Sequence, residues 1–264
     1  MTGPANDDQF TFFDELPGQR AAARPRRLLT QNGQLRREGI WNWTLPALSA
    51  ELPSGRTVVT CPSADACADI CYARFGAYRF SNVLARHVAN LAFVVEDLDG
   101  WEKAMRTELG SRRFHDRWIR IHDSGDWFSD AYVLAWLRII SDRPGVRFYT
   151  YTKEVARFRR LVEPQPPPNL LWVYSLGGKH DRALDATVDR VADVFPDEAA
   201  IAEANWHSQA ESDLLAVLGP SPVGMAAIVA ALRRQGNRTL SQMQKESDLR
   251  RQQRRTSQKE PLAS

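Results

Sequence analysis

Apolar positions along the chain follow two periods. Phe80, Val83, Leu84, Val88, Leu91 and Val94 recur near every 3.6 residues and predict a helix over 80–95. A second helix is expected over 98–109, ended by Gly110. Thr57-Val58-Val59-Thr60 is β-branched and reads as a strand. From Trp118 onward, short apolar runs at 118–122, 146–151, 170–174, 190–195 and 214–218 read as strands. Amphipathic stretches at 131–140, 153–161, 197–204 and 223–234 read as the helices between and after them. The proline run 164–168 is a rigid spacer into the strand at 170. Strands separated by helices indicate a parallel sheet with right-handed crossovers. The expectation is therefore an α/β fold, a complete or partial (β/α) barrel of about six strand–helix units, with a doubly wound open sheet as the alternative. Residues 1–50 lack a period and read as an irregular N-terminal lead, residues 51–235 as the barrel-like domain, and residues 236–264 as a basic, partly disordered tail.

Composition narrows the class. The 264 residues are 43% hydrophobic and 25% charged, ordinary for a globular protein. The longest apolar run, 223–232, is about half of what a membrane span needs. The first thirteen residues lack a basic-then-apolar leader pattern. A cytoplasmic protein without membrane contact is expected. Residues 233–264 carry nine Lys/Arg against three acids while the net charge is only +3, so the rest of the chain is acidic on balance. Such basic ends either contact nucleic acid or are solvated tails.

The chemistry concentrates in one loop. Cys61, Cys67 and Cys71 are the only cysteines and lie within eleven residues, which excludes a disulfide framework. Three thiolates from one loop suit a soft metal centre. A [4Fe–4S] cluster on three cysteines keeps one iron open. Zinc is the alternative, with His87 as fourth ligand. A second constellation, Arg120-Ile121-His122-Asp123-Ser124-Gly125-Asp126, opens at the end of a strand. His122, Asp123 and Asp126 are candidate catalytic groups there, or else the two carboxylates shape the turn and cap the next helix. Tyr149-Thr150-Tyr151-Thr152-Lys153 ends the next strand, where Lys153 could neutralise a carboxylate or phosphate and Thr152 could bond a ligand or cap a helix. Ser175-Leu176-Gly177-Gly178-Lys179-His180 is a polar loop after the following strand, and Asn205, Trp206 and His207 follow the fifth unit. No nucleophile elbow, zinc-protease helix or dinucleotide fingerprint is present.

Two resemblances follow from these residues. The blocks Leu45-Pro46-Ala47-Leu48, Cys61-Pro62, Cys67-Ala68, Cys71-Tyr72-Ala73, Gly76, Tyr78, Asn90, Arg120 to Asp126, Tyr132, Trp136 and Phe148 to Lys153 occur in an order that resembles the bacteriophage gene product 88 family, over roughly residues 35–180. The family implies a phage or prophage origin and no established activity. More loosely, a strand, three-cysteine loop, helix, strand and Gly-acidic turn is similar to the radical S-adenosylmethionine (SAM) superfamily. That resemblance implies Cys61, Cys67 and Cys71 as cluster ligands, and Ser124-Gly125-Asp126 at the SAM amino group in place of a Gly-Gly-Glu motif. It also implies Tyr72 as an aromatic shield; Thr152 and Lys153 are expected among the cofactor contacts on their own chemistry. The spacing here is x5 and x3 where the superfamily has x3 and x2. The implied function is reductive cleavage of SAM, with an external electron donor, on an unknown substrate for which a nucleotide or nucleic acid is reasonable. Two alternatives stand beside it. One is a zinc-containing barrel enzyme modifying nucleic-acid bases through Asp123 or Asp126, and the other is a non-enzymatic, metal-stabilised binding module.

Overall fold

The computed structural model describes residues 24–257; the first 23 residues of the expected lead and the last seven of the expected tail lie outside the described residues. Among the described residues the first elements are α1 (Gly33–Arg37), β1 (Trp41–Trp43), β2 (Ser49–Glu51), β3 (Thr57–Val59), α2 (Cys67–Ile70), α3 (Ser81–Glu96) and α4 (Leu98–Leu109). The chain continues through β4 (Trp118–Ile121), α5 (Asp130–Ser141), β5 (Arg147–Thr152), α6 (Val155–Leu161), β6 (Leu170–Ser175) and β7 (Val191–Phe195). Last come α7 (Glu198–Glu203), β8 (His207–Ser208), α8 (Leu215–Leu218), β9 (Val223–Ala226), α9 (Val229–Gln235) and α10 (Leu240–Ser257).

Seven strands pair in parallel in the order β1-β4-β5-β6-β7-β9-β8, an α/β sheet that advances along the chain without reversal until its last pair. A doubly wound sheet reverses at an internal switch point, and this order has none there. Pairing among the described residues ends at β1 and β8, so a closed barrel is not formed by these pairs. Strand alternation sends side chains to two faces. Ile119, Ile121, Phe148 and Leu170 face the helices, where Trp43, Trp101, Trp127, Tyr132 and Trp136 are fully buried. Tyr149, Tyr151, Val173 and Met225 face the other way, against Leu35 of α1 and Val217 of α8.

Four expectations need correction. The strand at 57–59 exists, but it pairs antiparallel with β2 in a separate hairpin, so it does not open the parallel series. The opening strand is β1, inside the stretch read as irregular; three residues are too few to show a period. Residues 214–218 form helix α8 rather than a strand, and 223–226 form strand β9 before α9 rather than the start of a helix. A short apolar run does not distinguish strand from helix by period alone. Gly224 fits the sheet because Ile201 of α7 occupies the space a side chain would need, 2.6 Å from an added Cβ. The tail through Ser257 is helical: Thr239 and Gln242 cap α10 reciprocally, and Leu240, Met243 and Gln244 are buried.

Candidate functional site

The cysteine loop lies over the C-terminal ends of the parallel strands and is sewn to them by backbone bonds. Asp126 N donates to Thr60 O (2.9 Å) and Cys67 N to Gly177 O (3.0 Å), while Leu45 N to Ser124 O (3.0 Å) and Asp123 N to Trp43 O (3.0 Å) join the ends of β1 and β4 beneath it. Gly125 has φ +82°, and an added Cβ would stand 2.7 Å from Leu45 Cβ, so only glycine fits this turn. The Ser175–His180 loop grips the cysteine loop from the other side. Lys179 N donates to Ser63 O (2.9 Å), and Lys179 Nζ donates to Pro62 O (2.6 Å). Helix α10 closes the back: Gln244 accepts from Ala66 N (3.0 Å) and donates to Asp65 (2.7 Å), and Arg251 pairs with Asp65.

All three cysteines line one cavity of about 470 Å³, together with Tyr72, the 122–126 turn, Thr152 and Lys153. Leu48 N donates to Cys61 Sγ at 3.3 Å. Burial pushes all three thiols up, while the amides of Leu48, Asp65 and Ala73 pull Cys61, Cys67 and Cys71 respectively back down. Lys153 also lowers Cys67 and Cys71. Among the described residues, no three His, Cys, Asp or Glu side chains group as ligands of a single metal ion. His87 packs beside Tyr78, 6.0 Å between ring centroids, where burial lowers it to about 4. His87 sits on α3, where the Asp123 charge partly offsets the effect of burial.

The other predicted residues take definite places. Asp126 accepts from Trp127 N (2.8 Å), Thr152 Oγ1 (2.7 Å) and Lys153 N (3.0 Å), tying the β4 turn to the end of β5. Burial, with Glu154 nearby, raises it to about 6. Ser124 Oγ donates to Leu45 O (2.5 Å). Lys153 Nζ donates to Ser175 O (3.0 Å), Ser175 Oγ (2.7 Å) and Leu176 O (2.8 Å), so its three protons are already placed. His122, at φ +50°, bonds Tyr132 OH (2.9 Å) and packs on Trp127; burial lowers it to about 3 and keeps it neutral. Tyr72 donates to Asp123 O and is part exposed. Asp123 accepts from Tyr78 OH (2.7 Å) and Asn32 Nδ2 (3.1 Å).

At the centre of this wall the sequence placed Arg120 in the second constellation without a role and left Asp213 unmarked. Asp213, just before α8, accepts from Arg120 Nη1 (3.2 Å), Tyr149 OH (2.5 Å) and Tyr151 OH (3.2 Å). Burial works against the Arg120 charge, but Asp213, Tyr72 and Asp123 outweigh it and hold the guanidinium protonated. Within Trp118-Ile119-Arg120-Ile121, Arg120 lies on the strand face opposite the buried Ile119 and Ile121. Nothing local marked Asp213.

Comparison with known proteins completes the description. The family model for gene product 88 matches residues 19–258. Over 116 residues the chain is 38% identical to the Gene 88 protein of Mycobacterium phage L5, covering 40% of this chain and 48% of that protein. The Gene 88 protein of Mycobacterium phage D29 is 35% identical over 116 residues, with the same coverage. The chain thus spans about half the length of the curated relatives it matches. No solved structure matches the chain.

Proposed function

The chain belongs to the gene product 88 family, and from that premise we propose that it is an iron–sulfur protein of radical-SAM type acting on a substrate held in the cysteine cavity. Cys61, Cys67 and Cys71 would hold the [4Fe–4S] cluster and leave one iron open to the cavity. The observation that carries this reading is that all three cysteines of the chain line one cavity, beside the strand-end turn 122–126. Backbone amides facing the sulfurs are the second-shell bonds that stabilise thiolate ligands. The sequential sheet is read as a partial (β/α) barrel, with chemistry at its strand ends.

Within this reading each residue has a task. Such a cluster, when bound, supplies one-electron reduction of SAM at the open iron, drawing on an external electron donor. Lys153 sets a fixed positive charge beside Cys67 and Cys71. Asp126 Oδ2 takes one of the two bonds it can accept, and its remaining capacity suits the SAM amine. Gly125 and Ser124 hold that carboxylate in place against Leu45. The work would take place in the cytoplasm of the host cell. No helix among the described residues is long and apolar enough to cross a membrane.

The test is anaerobic purification with iron, sulfide and zinc analysis. The expected outcome is a brown protein with about four irons per chain, which releases 5′-deoxyadenosine on incubation with dithionite and SAM. A colourless protein carrying one zinc overturns the reading. An intact cluster that leaves SAM uncleaved restricts it to a cluster-bearing binding protein.

A further inference from the structure

On the cavity wall away from the cysteines, Arg120 carries an unfilled hydrogen-bonding edge. Its Nη1 is committed to both oxygens of Asp213, at 3.2 Å each. The Tyr151 ring lies 4.8 Å from the guanidinium carbon. On the other edge, among the described residues, Nη2 has only the Tyr72 hydroxyl at 3.5 Å, and Nε is buried with no partner. Buried donors are ordinarily paired, so an orphan beside a cavity calls for an acceptor from outside the chain. Asp123 supplies the complementary half. Its Oδ2 is filled by Asn32 and Tyr78, whereas Oδ1 accepts no hydrogen bond among the described residues and stands 3.7 Å from Arg120 Nη1.

Charge decides what fits. Arg120 is already answered by Asp213 and Asp123, and in the cavity lining Arg120 and Lys153 meet four carboxylates. An anion arriving at the Arg120 edge would be repelled by that surplus. A neutral group that places a carbonyl beside an N–H would satisfy both open positions without adding charge. We propose that Arg120 and Asp123 form a recognition subsite for a neutral amide-type edge, the carbonyl on the Nε–Nη2 edge of Arg120 and the N–H on Asp123 Oδ1. A nucleobase and a carboxamide both present that edge. The inference rests on the preceding reading only in taking this cavity as the substrate site. Iron and sulfide content of the same sample reports on the cluster separately.

The full-length chain is titrated by saturation-transfer NMR with two pairs of probes, uridine against 3-methyluridine and benzamide against N,N-dimethylbenzamide, and with benzoate as the charged control. Within at least one pair, the N–H compound binds at least tenfold more tightly than its methylated partner, since a hydrogen bond to a charged group accounts for about that factor. The pair that discriminates identifies the source as a nucleobase or a carboxamide. Arg120→Lys keeps the charge, loses the planar fork and weakens that probe about tenfold or more. Should Arg120→Lys fail to fold, the paired probes on the wild-type chain decide the matter alone. The proposal is overturned by equal binding within both pairs, by benzoate binding more tightly than benzamide, by a folded Arg120→Lys chain with unchanged affinity, or by no probe binding.

Discussion

At the scale of single residues, burial sets the chemistry of the strand-end turn. Asp126, raised to about 6 by desolvation with Glu154 adding, binds more protons folded than unfolded between about pH 4 and 6. Its ionisation therefore costs stability: from this group alone, folding weakens as pH rises through that window, by roughly 3 kcal/mol, and levels off above it. His122 and His87, lowered to about 3 and about 4 by burial, act in the opposite direction, losing stability as pH falls below about 6.5. The measurement is thus a difference. In urea unfolding from pH 4 to 7, the stability of wild type relative to Asp126→Asn should fall by roughly 3 kcal/mol, and parallel curves would remove Asp126 from the account. The same residue illustrates what was legible. Its place beside Gly125 marked a tight turn, but the donors that fill it, Thr152 Oγ1 and Lys153 N, come from a different strand.

At the scale of elements, α10 carries the largest departure from expectation. A polar, arginine-rich stretch shows little apolar period beyond Met243, and it reads as a solvated end. It is a helix because a narrow stripe, Leu240 and Met243, packs on Ala66, Ile70 and Ala231. Gln244, 1% exposed, spends its amide on the cysteine loop, and Asp193 accepts from Ser241 N (3.0 Å) at the helix start. Gln244→Ala leaves the buried Ala66 N–H unpaired and should cost about 1–3 kcal/mol. Thermal denaturation reads that loss, and thiol labelling of metal-free protein should show faster modification of Cys67. Unchanged labelling would mean that α10 does not hold the loop. The basic side chains of this region are therefore carried on a helix that docks through its first turns, with residues 249–257 exposed.

At the scale of the whole molecule, the cysteine loop and the sheet are separable. The main core, built around Trp43, Trp101, Trp127, Trp136, Phe148 and Phe158, contains none of the cysteines. Zinc fingers unfold without metal because the metal is their core; here a large apolar core stands independently. Cys61→Ala should abolish iron binding while keeping the near-ultraviolet dichroism of the tryptophans and an unfolding free energy within about 1–2 kcal/mol of metal-free wild type. Collapse of the tryptophan signal in that variant would make the loop part of the folding unit.

The sequence by itself determined the local periods, and with them α3, α4, α5, β4, β5 and β6, the parallel α/β class, and the three cysteines as one chemical group. These are properties of neighbours along the chain, where 3.6-residue and two-residue repeats are written directly. Only the tertiary structure decided that β3 belongs to a hairpin, that β1 opens the sheet, and that the helix of the basic tail clamps the cysteine loop. It alone brought Asp213 to Arg120 across 93 residues. Those outcomes depend on which faces meet, and no local pattern encodes a partner that distant in the chain.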